Sequence, residues 1–192
     1  MVEILFIRNE FSIRDKGTWM SVPIRATLNM DNRREGMPNI RHNHLAIRVS
    51  DVVIEAGWNK IKGKAEVFER TYIDWISDRD PESFEAWDIS DRMTVSETEA
   101  LKFLRKFLAW AYDFGSVLGW QLIRQACAYL FSVKPWFGKT DIAEIIRLYC
   151  SNFVAIFFLY CTSIRVKCNP IAADPEDVKQ PLIELYGSPK GV

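Results

Sequence analysis

The sequence predicts an α+β domain, a small antiparallel sheet packed against helices, and two observations carry that reading. Short β-favouring runs fill the first half of the chain and helical spacing takes over after Thr94, the order of an α+β domain rather than a doubly wound one. No strand-like run is followed by a glycine-rich phosphate loop, which removes a nucleotide-binding reading. A chain of 192 residues, 48% hydrophobic and 13% aromatic, suffices for one core, so residues 1–192 are taken as a single domain.

The elements follow in order. "EILFIRN" reads as a first buried strand, an apolar run closed by polar residues. The mixed segment from Glu10 to Ile40 contains the polar loop "MDNRREGMPN". In "HNHLAIRVS", Leu45, Ile47 and Val49 alternate with His44, Ala46 and Arg48, which puts His44 on the face opposite the aliphatic row. "DVVIEAGW" is the return strand of a hairpin, turning near Ser50 and Asp51 and ended by Gly57, with Glu55 on the face of Val53. A further strand, "SFEAWDIS", follows the charged turn "SDRDPE".

Leu101, Leu104, Leu108 and Tyr112 recur at helical spacing, and Ser96 with Glu99 has the spacing of a capping box. Gly115 and Gly119 loosen the end of that helix, "WQLIRQACAYLF" resumes it, and "KPWFGKT" breaks it. Asp141 and Glu144 open another helical stretch. Nothing from there to Phe158 breaks a helix, so the sequence permits Cys150 either at a helix start or midway along one. The proline-rich tail reads as an extended wrap closed by a short helix or strand.

Composition narrows the function. Basic and acidic residues balance at 25 each, without the electrostatic footprint of a nucleic-acid binder, so no nucleic-acid partner is expected. Cys127, Cys150, Cys161 and Cys168 form neither a short-spaced pair nor a disulfide framework, which fits reduced thiols and a cytoplasmic setting. The N-terminus lacks a basic start and a cleavage site, so no export signal is expected. The apolar run from Phe153 to Tyr160 falls short of the roughly 18 to 20 residues that span a bilayer, and a buried helix is expected in place of a membrane segment.

A thiol becomes a nucleophile when an imidazolium or a helix N-terminus favours its thiolate. Cys150 has His44 as a candidate base, and Glu55 on the neighbouring strand is a candidate to orient the imidazole: the logic of a triad in the order His44, Glu55, Cys150. The bland alternative is that Cys150 and Cys161, three helical turns apart, both line a core. Lesser candidates are His42 as a loop residue or auxiliary polar group, Arg33, Arg34 and Arg41 as anion contacts, and Trp58 and Trp75 as walls of a substrate site. The "HNH" spacing at His42 to His44 makes a poor metal cage, and no metal or cofactor is expected.

"HNHLAIRVSDVVIEAG" followed far downstream by "YCSNFVAIFF" resembles the circularly permuted branch of the NlpC-type papain-like cysteine peptidase superfamily, in which the histidine-bearing sheet precedes the nucleophile's helix. The matching pieces are "HLAI" around His44, "VIEA" around Glu55, Tyr112 with Asp113, and "CSNFV" around Cys150. The resemblance implies a permuted papain-like fold with Cys150 as nucleophile, His44 as general base, Glu55 as third polar residue, and the Cys150 backbone N–H at an oxyanion hole. Many relatives carry an acidic residue two positions after the cysteine. Asn152 stands here and is given no role.

The implied activity is a cysteine hydrolase cleaving a peptide, isopeptide or peptidoglycan-type amide through a thioester. Two alternatives stand beside it. One is a lipid acyltransferase or thioesterase of the lecithin retinol acyltransferase-like type, with an acyl lipid as partner and Phe153 to Tyr160 partly exposed. The other is an inert binding or assembly domain on the same fold, marked by a thiol closed to solvent or beyond reach of His44. Oligomeric state is left open.

Overall fold

The computed structural model describes residues 1–8, 42–112, 147–167, 173 and 175–187. They build a seven-stranded sheet with helices on both faces. In chain order the elements are β1 (Val2–Ile7), β2 (His44–Val49), β3 (Val52–Asn59), β4 (Lys64–Thr71), α1 (Tyr72–Ser77), β5 (Phe84–Asp88), α2 (Glu97–Arg105), β6 (Ala111–Tyr112), β7 (Arg147–Leu148), α3 (Cys150–Cys161) and α4 (Pro175–Tyr186). The spatial order is β5-β1-β2-β3-β4-β6-β7, antiparallel throughout except for the parallel pair of β6 and β7. The expected α+β class with an antiparallel sheet therefore holds.

Alternation divides the central strands between two layers. Val2, Ile4 and Phe6 of β1, Leu45, Ile47 and Val49 of β2, and Ile54 and Ala56 of β3 pack in one core with α3. Leu5, Ile7, Ala46 and Val53 pack on the other face against Trp75 of α1. α3 is apolar for most of its length, and Phe153, Phe157 and Phe158 are fully buried, while Leu159 and Tyr160 near its end are exposed. Each buried phenylalanine contributes about 1.5–3 kcal/mol by leaving water, so α3 is anchored firmly against the sheet. Among the described residues no helix is long and apolar enough to cross a membrane.

Several expectations need correction. The strand carrying Glu55 does not end at Gly57 but runs through it to Asn59, paired along its whole length with β4. β4 and α1 have no counterpart in the sequence reading. In β4 the apolar alternation is interrupted by Glu66, which is buried because Lys62, Lys64 and Asn59 all contact its carboxylate.

The helix opened by the Ser96/Glu99 capping box stops at Arg105 and does not reach Tyr112. Single turns follow it, Phe107 N–H to the Leu104 carbonyl and Trp110 N–H to the Phe107 carbonyl. Ala109 takes a positive φ of 66°, and its N–H bonds the Val67 carbonyl, so β4 captures the chain and the next residues become β6. The tail closes in a helix, α4, with Pro175 as its first residue and Pro181 inside it. Gly115, Gly119, "WQLIRQACAYLF", "KPWFGKT", Asp113, Asp141, Glu144, Arg33, Arg34, Arg41, Cys127 and Cys168 lie outside the described residues.

Candidate active site

Cys150 is the first residue of α3, so the alternative of a continuous helix with the cysteine midway does not hold. Tyr149 before it is extended (φ −116°, ψ 169°), and the Asn152 side-chain carbonyl accepts the Tyr149 N–H at 2.9 Å. That bond is half of a capping box, made by Asn where the longer Glu or Gln is usual. It ends the extended segment and fixes the helix start. Asn152, given no role from sequence, thus helps set Cys150 at a helix N-terminus, where positive potential collects. The signal was the cap spacing, three residues from Tyr149 to Asn152.

His44 opens β2 and Glu55 lies on β3, both on the α1 face by alternation with Ala46 and Val53. The register pairing Ala46 with Glu55 brings them close, and His44 Nε2 meets Glu55 Oε2 at 2.9 Å. Gly57, two residues on, explains itself here. A Cβ at that position would lie 3.1 Å from His44 Cε1, so the imidazole occupies space that any side chain would contest. Cys150 belongs to the core cluster on the α3 face, and its thiol meets the imidazole at the end of β2.

All three groups are nearly enclosed, at 5% exposure for Cys150, 8% for His44 and 3% for Glu55. Burial, the largest influence on each, disfavours their charged forms, yet each is shifted toward charge. His44 is raised to about 9, because hydrogen bonds and charge from Cys150 and Glu55 outweigh burial. The Cys150 thiol is lowered: against burial stand the hydrogen bond and charge of His44, the Leu45 N–H and the Tyr112 hydroxyl. The Glu55 carboxyl is lowered against burial by His44, then by Arg79 and Arg70. The site is arranged to hold thiolate, imidazolium and carboxylate together.

Tyr112, expected on a helix with Leu104 and Leu108, lies in a strand instead. In β6 its hydroxyl reaches both the thiol and the backbone N–H of Cys150, and burial together with Cys150 raises it well above its ordinary value, so it stays a neutral donor. Placing it on a helix hid this. Of the lesser candidates, Trp75 is wholly buried and is no substrate wall, Trp58 is half-buried in β3, and His42 Nε2 lies 3.6 Å from Glu85 Oε2, with its ring edge-on to Phe6. Among the described residues no group of three or more His, Cys, Asp or Glu is placed to hold a metal ion.

No family model matches the chain, and no curated protein or solved structure matches it. The resemblance to permuted papain-like enzymes therefore stands on the quoted motifs, and any activity has to be argued from the geometry of these side chains.

Proposed function

We propose that the protein is a cysteine hydrolase with a permuted papain-like arrangement, cleaving an amide bond through a thioester on Cys150. The supporting observation is the chain of contacts itself: a thiol at a helix start, lowered despite burial, touching an imidazole whose Nε2 is held at 2.9 Å by a buried carboxylate. The same arrangement would serve peptide, isopeptide or peptidoglycan-type amides.

An imidazole bonded to Glu55 through Nε2 has Nδ1 left to exchange a proton with the thiol. In this reading the Cys150 thiolate attacks the carbonyl carbon, and the Cys150 N–H and the Tyr112 hydroxyl exchange their bond with each other for bonds to the oxyanion. The His44 imidazolium gives its proton to the leaving amine as the carbon–nitrogen bond breaks. Neutral His44 then takes a proton from water, whose hydroxide attacks the thioester, and the carboxylic acid leaves with the thiolate restored. Glu55 holds the ring in one orientation and stabilises its charged form, without itself taking the proton.

The lipid acyltransferase reading wanted the segment after Cys150 partly exposed. Phe153, Phe157 and Phe158 are buried, while Leu159 and Tyr160 at the far end of α3 are exposed, so the segment itself is partly exposed and the lipid reading stands beside the hydrolase.

The test is iodoacetamide labelling across pH, resolved by peptide mass spectrometry for each cysteine, on the wild type and His44→Ala. Cys150 is expected to label fastest and to keep its rate below the ordinary thiol range of roughly 8.5. His44→Ala is expected to slow it on the order of 10²-fold at pH 6, the share a positioned base supplies. A Cys150 that labels no faster than Cys161, or that ignores His44, sinks the hydrolase and leaves the inert binding domain.

A further inference from the structure

The three groups of the candidate site leave a charge unbalanced. In its reactive form it buries a thiolate, an imidazolium and a carboxylate, a net charge of −1, and an uncompensated buried charge is costly. Arg79 stands where the balance would come from. Its Nη2 lies 3.3 Å from Glu55 Oε2, the same oxygen that meets His44.

The placement of Arg79 is built into the fold on the α1 face. Its N–H bonds the Ile76 carbonyl at 3.1 Å, fixing the backbone just past α1. Its guanidinium lies 4.3 Å over the ring of Trp75, which is itself held edge-on by Phe84 at 5.1 Å and stacked on Tyr72 at 6.1 Å. A planar cation stacked on a buried aromatic loses little further freedom when it also meets a carboxylate. The other cation nearby, Arg70, is engaged by Asp78 at 2.7 Å, and Asp78 is the second acidic group acting on Arg79. Facing Glu55 are His44, Arg79 and Arg70; facing His44 are Cys150 and Glu55; facing Cys150 are His44 and the Tyr112 hydroxyl.

We infer that Arg79 is a positioning residue of this site, the fourth charge that makes thiolate, imidazolium, carboxylate and guanidinium sum to zero and so lets the reactive pair exist out of water. The inference rests on the proposed hydrolase reading and deepens it. Arg79 touches neither the thiol nor any reacting atom in that reading; it acts through Glu55. Removing a cation raises the proton affinity of each group nearby, so without Arg79 the thiolate forms only at higher pH.

The pH profile of Cys150 alkylation tests this in Arg79→Gln, which can still donate a hydrogen bond, and in Arg79→Lys, which keeps the charge. In Arg79→Gln the rise of the labelling rate is expected to move to higher pH, so that labelling at pH 6 slows about tenfold, the effect of one unit of proton affinity. Arg79→Lys is expected to stay within about threefold of the wild type. Should Arg79→Gln fail to fold by far-UV circular dichroism, Arg79→Met, which keeps a chain over Trp75, takes its place with the same expectation.

Equal slowing of the Gln and Lys variants at all pH, with the profile unmoved, would make Arg79 a packing residue and overturn the inference. So would a Gln or Met variant indistinguishable from the wild type. These outcomes differ from failure of the hydrolase reading, in which wild-type Cys150 itself shows no advantage that depends on His44.

Discussion

The two ends of α3 carry the same residue and treat it oppositely. Cys150 opens the helix and its thiol is lowered; Cys161 closes it and burial pushes its thiol up to about 11. Both are buried, and each has a cation near: His44 for Cys150, Lys106 for Cys161. Lys106 opposes burial at Cys161 by charge alone and does not win. At Cys150 hydrogen bonds are added to the charge, from His44, the Leu45 N–H and the Tyr112 hydroxyl, and together they do. The helix dipole supplies the same bias, positive at its start and negative at its end. Burial alone does not fix a thiol's proton affinity, because donors around the sulfur can outweigh it.

The sharpest way to break the contrast without touching a charged group is Gly57→Ala. The added methyl would sit 3.1 Å from His44 Cε1, tighter than nearly all carbon contacts, and Gly57 is held by its pairing with Glu66 of β4, so the neighbour has to give by a few tenths of an ångström. That neighbour is the imidazole. Labelling of Cys150 at pH 6 is expected to slow on the order of tenfold, as a displaced base loses its hold on the thiol, while Cys161 keeps its wild-type rate. A Gly57→Ala protein with both rates unchanged would show that the close approach does not position His44.

A second test separates the thiol from its base by pH. Taken alone, a His44 raised to about 9 contributes stability that is complete below 6.5 and lost as pH rises through about 9. Taken alone, a lowered Cys150 contributes stability present above the ordinary thiol range and lost as pH falls. Where these overlap, the folded pair holds one proton on the imidazole and the unfolded pair holds one on the thiol, so stability is nearly flat. Chemistry is not flat. Amide hydrolysis is expected to fall as pH rises through about 9, when the imidazolium that protonates the leaving amine is lost, whereas alkylation of Cys150 stays high. Parallel loss of both would place the titration on some group other than His44.

Much of this was legible in the sequence, and the misses share a cause. The alternation of Leu45, Ile47 and Val49 and the turn at Ser50 and Asp51 gave the hairpin, and with it His44 beside Glu55, because period-two patterning reports directly on which face is buried. β4 escaped because Glu66 interrupts its apolar alternation, and a carboxylate reads as solvated until Asn59, Lys62 and Lys64 are seen to close on it. Tyr112 was put on a helix because its spacing from Leu104 and Leu108 is helical, and only pairing with β4 overrides that. Arg79 reads as one more charge in "SDRDPE"; nothing local says that it stacks on Trp75 and reaches Glu55. Gly57 looked like a strand end because a glycine required by a neighbour's side chain is indistinguishable in sequence from one required by a turn.

The smallest expected effect is the most specific, because it sets the stability of the helix start against its reactivity. Asn152 bonds the Tyr149 N–H as a neutral acceptor. Asp in its place can accept the same bond and adds a negative charge to the first turn of α3, which the helix favours by about 0.3–1 kcal/mol at an exposed surface. Asn152 is 2% exposed, so part of that gain is offset by desolvation, and thermal stability is expected to stay near the wild type or rise slightly. The same charge disfavours a thiolate two residues away. Cys150 in Asn152→Asp is expected to label several-fold more slowly at pH 6, with Cys161 unaffected. A less stable protein with slower labelling would mean only that the cap was damaged; stability held while reactivity falls would show that a neutral cap serves the thiolate.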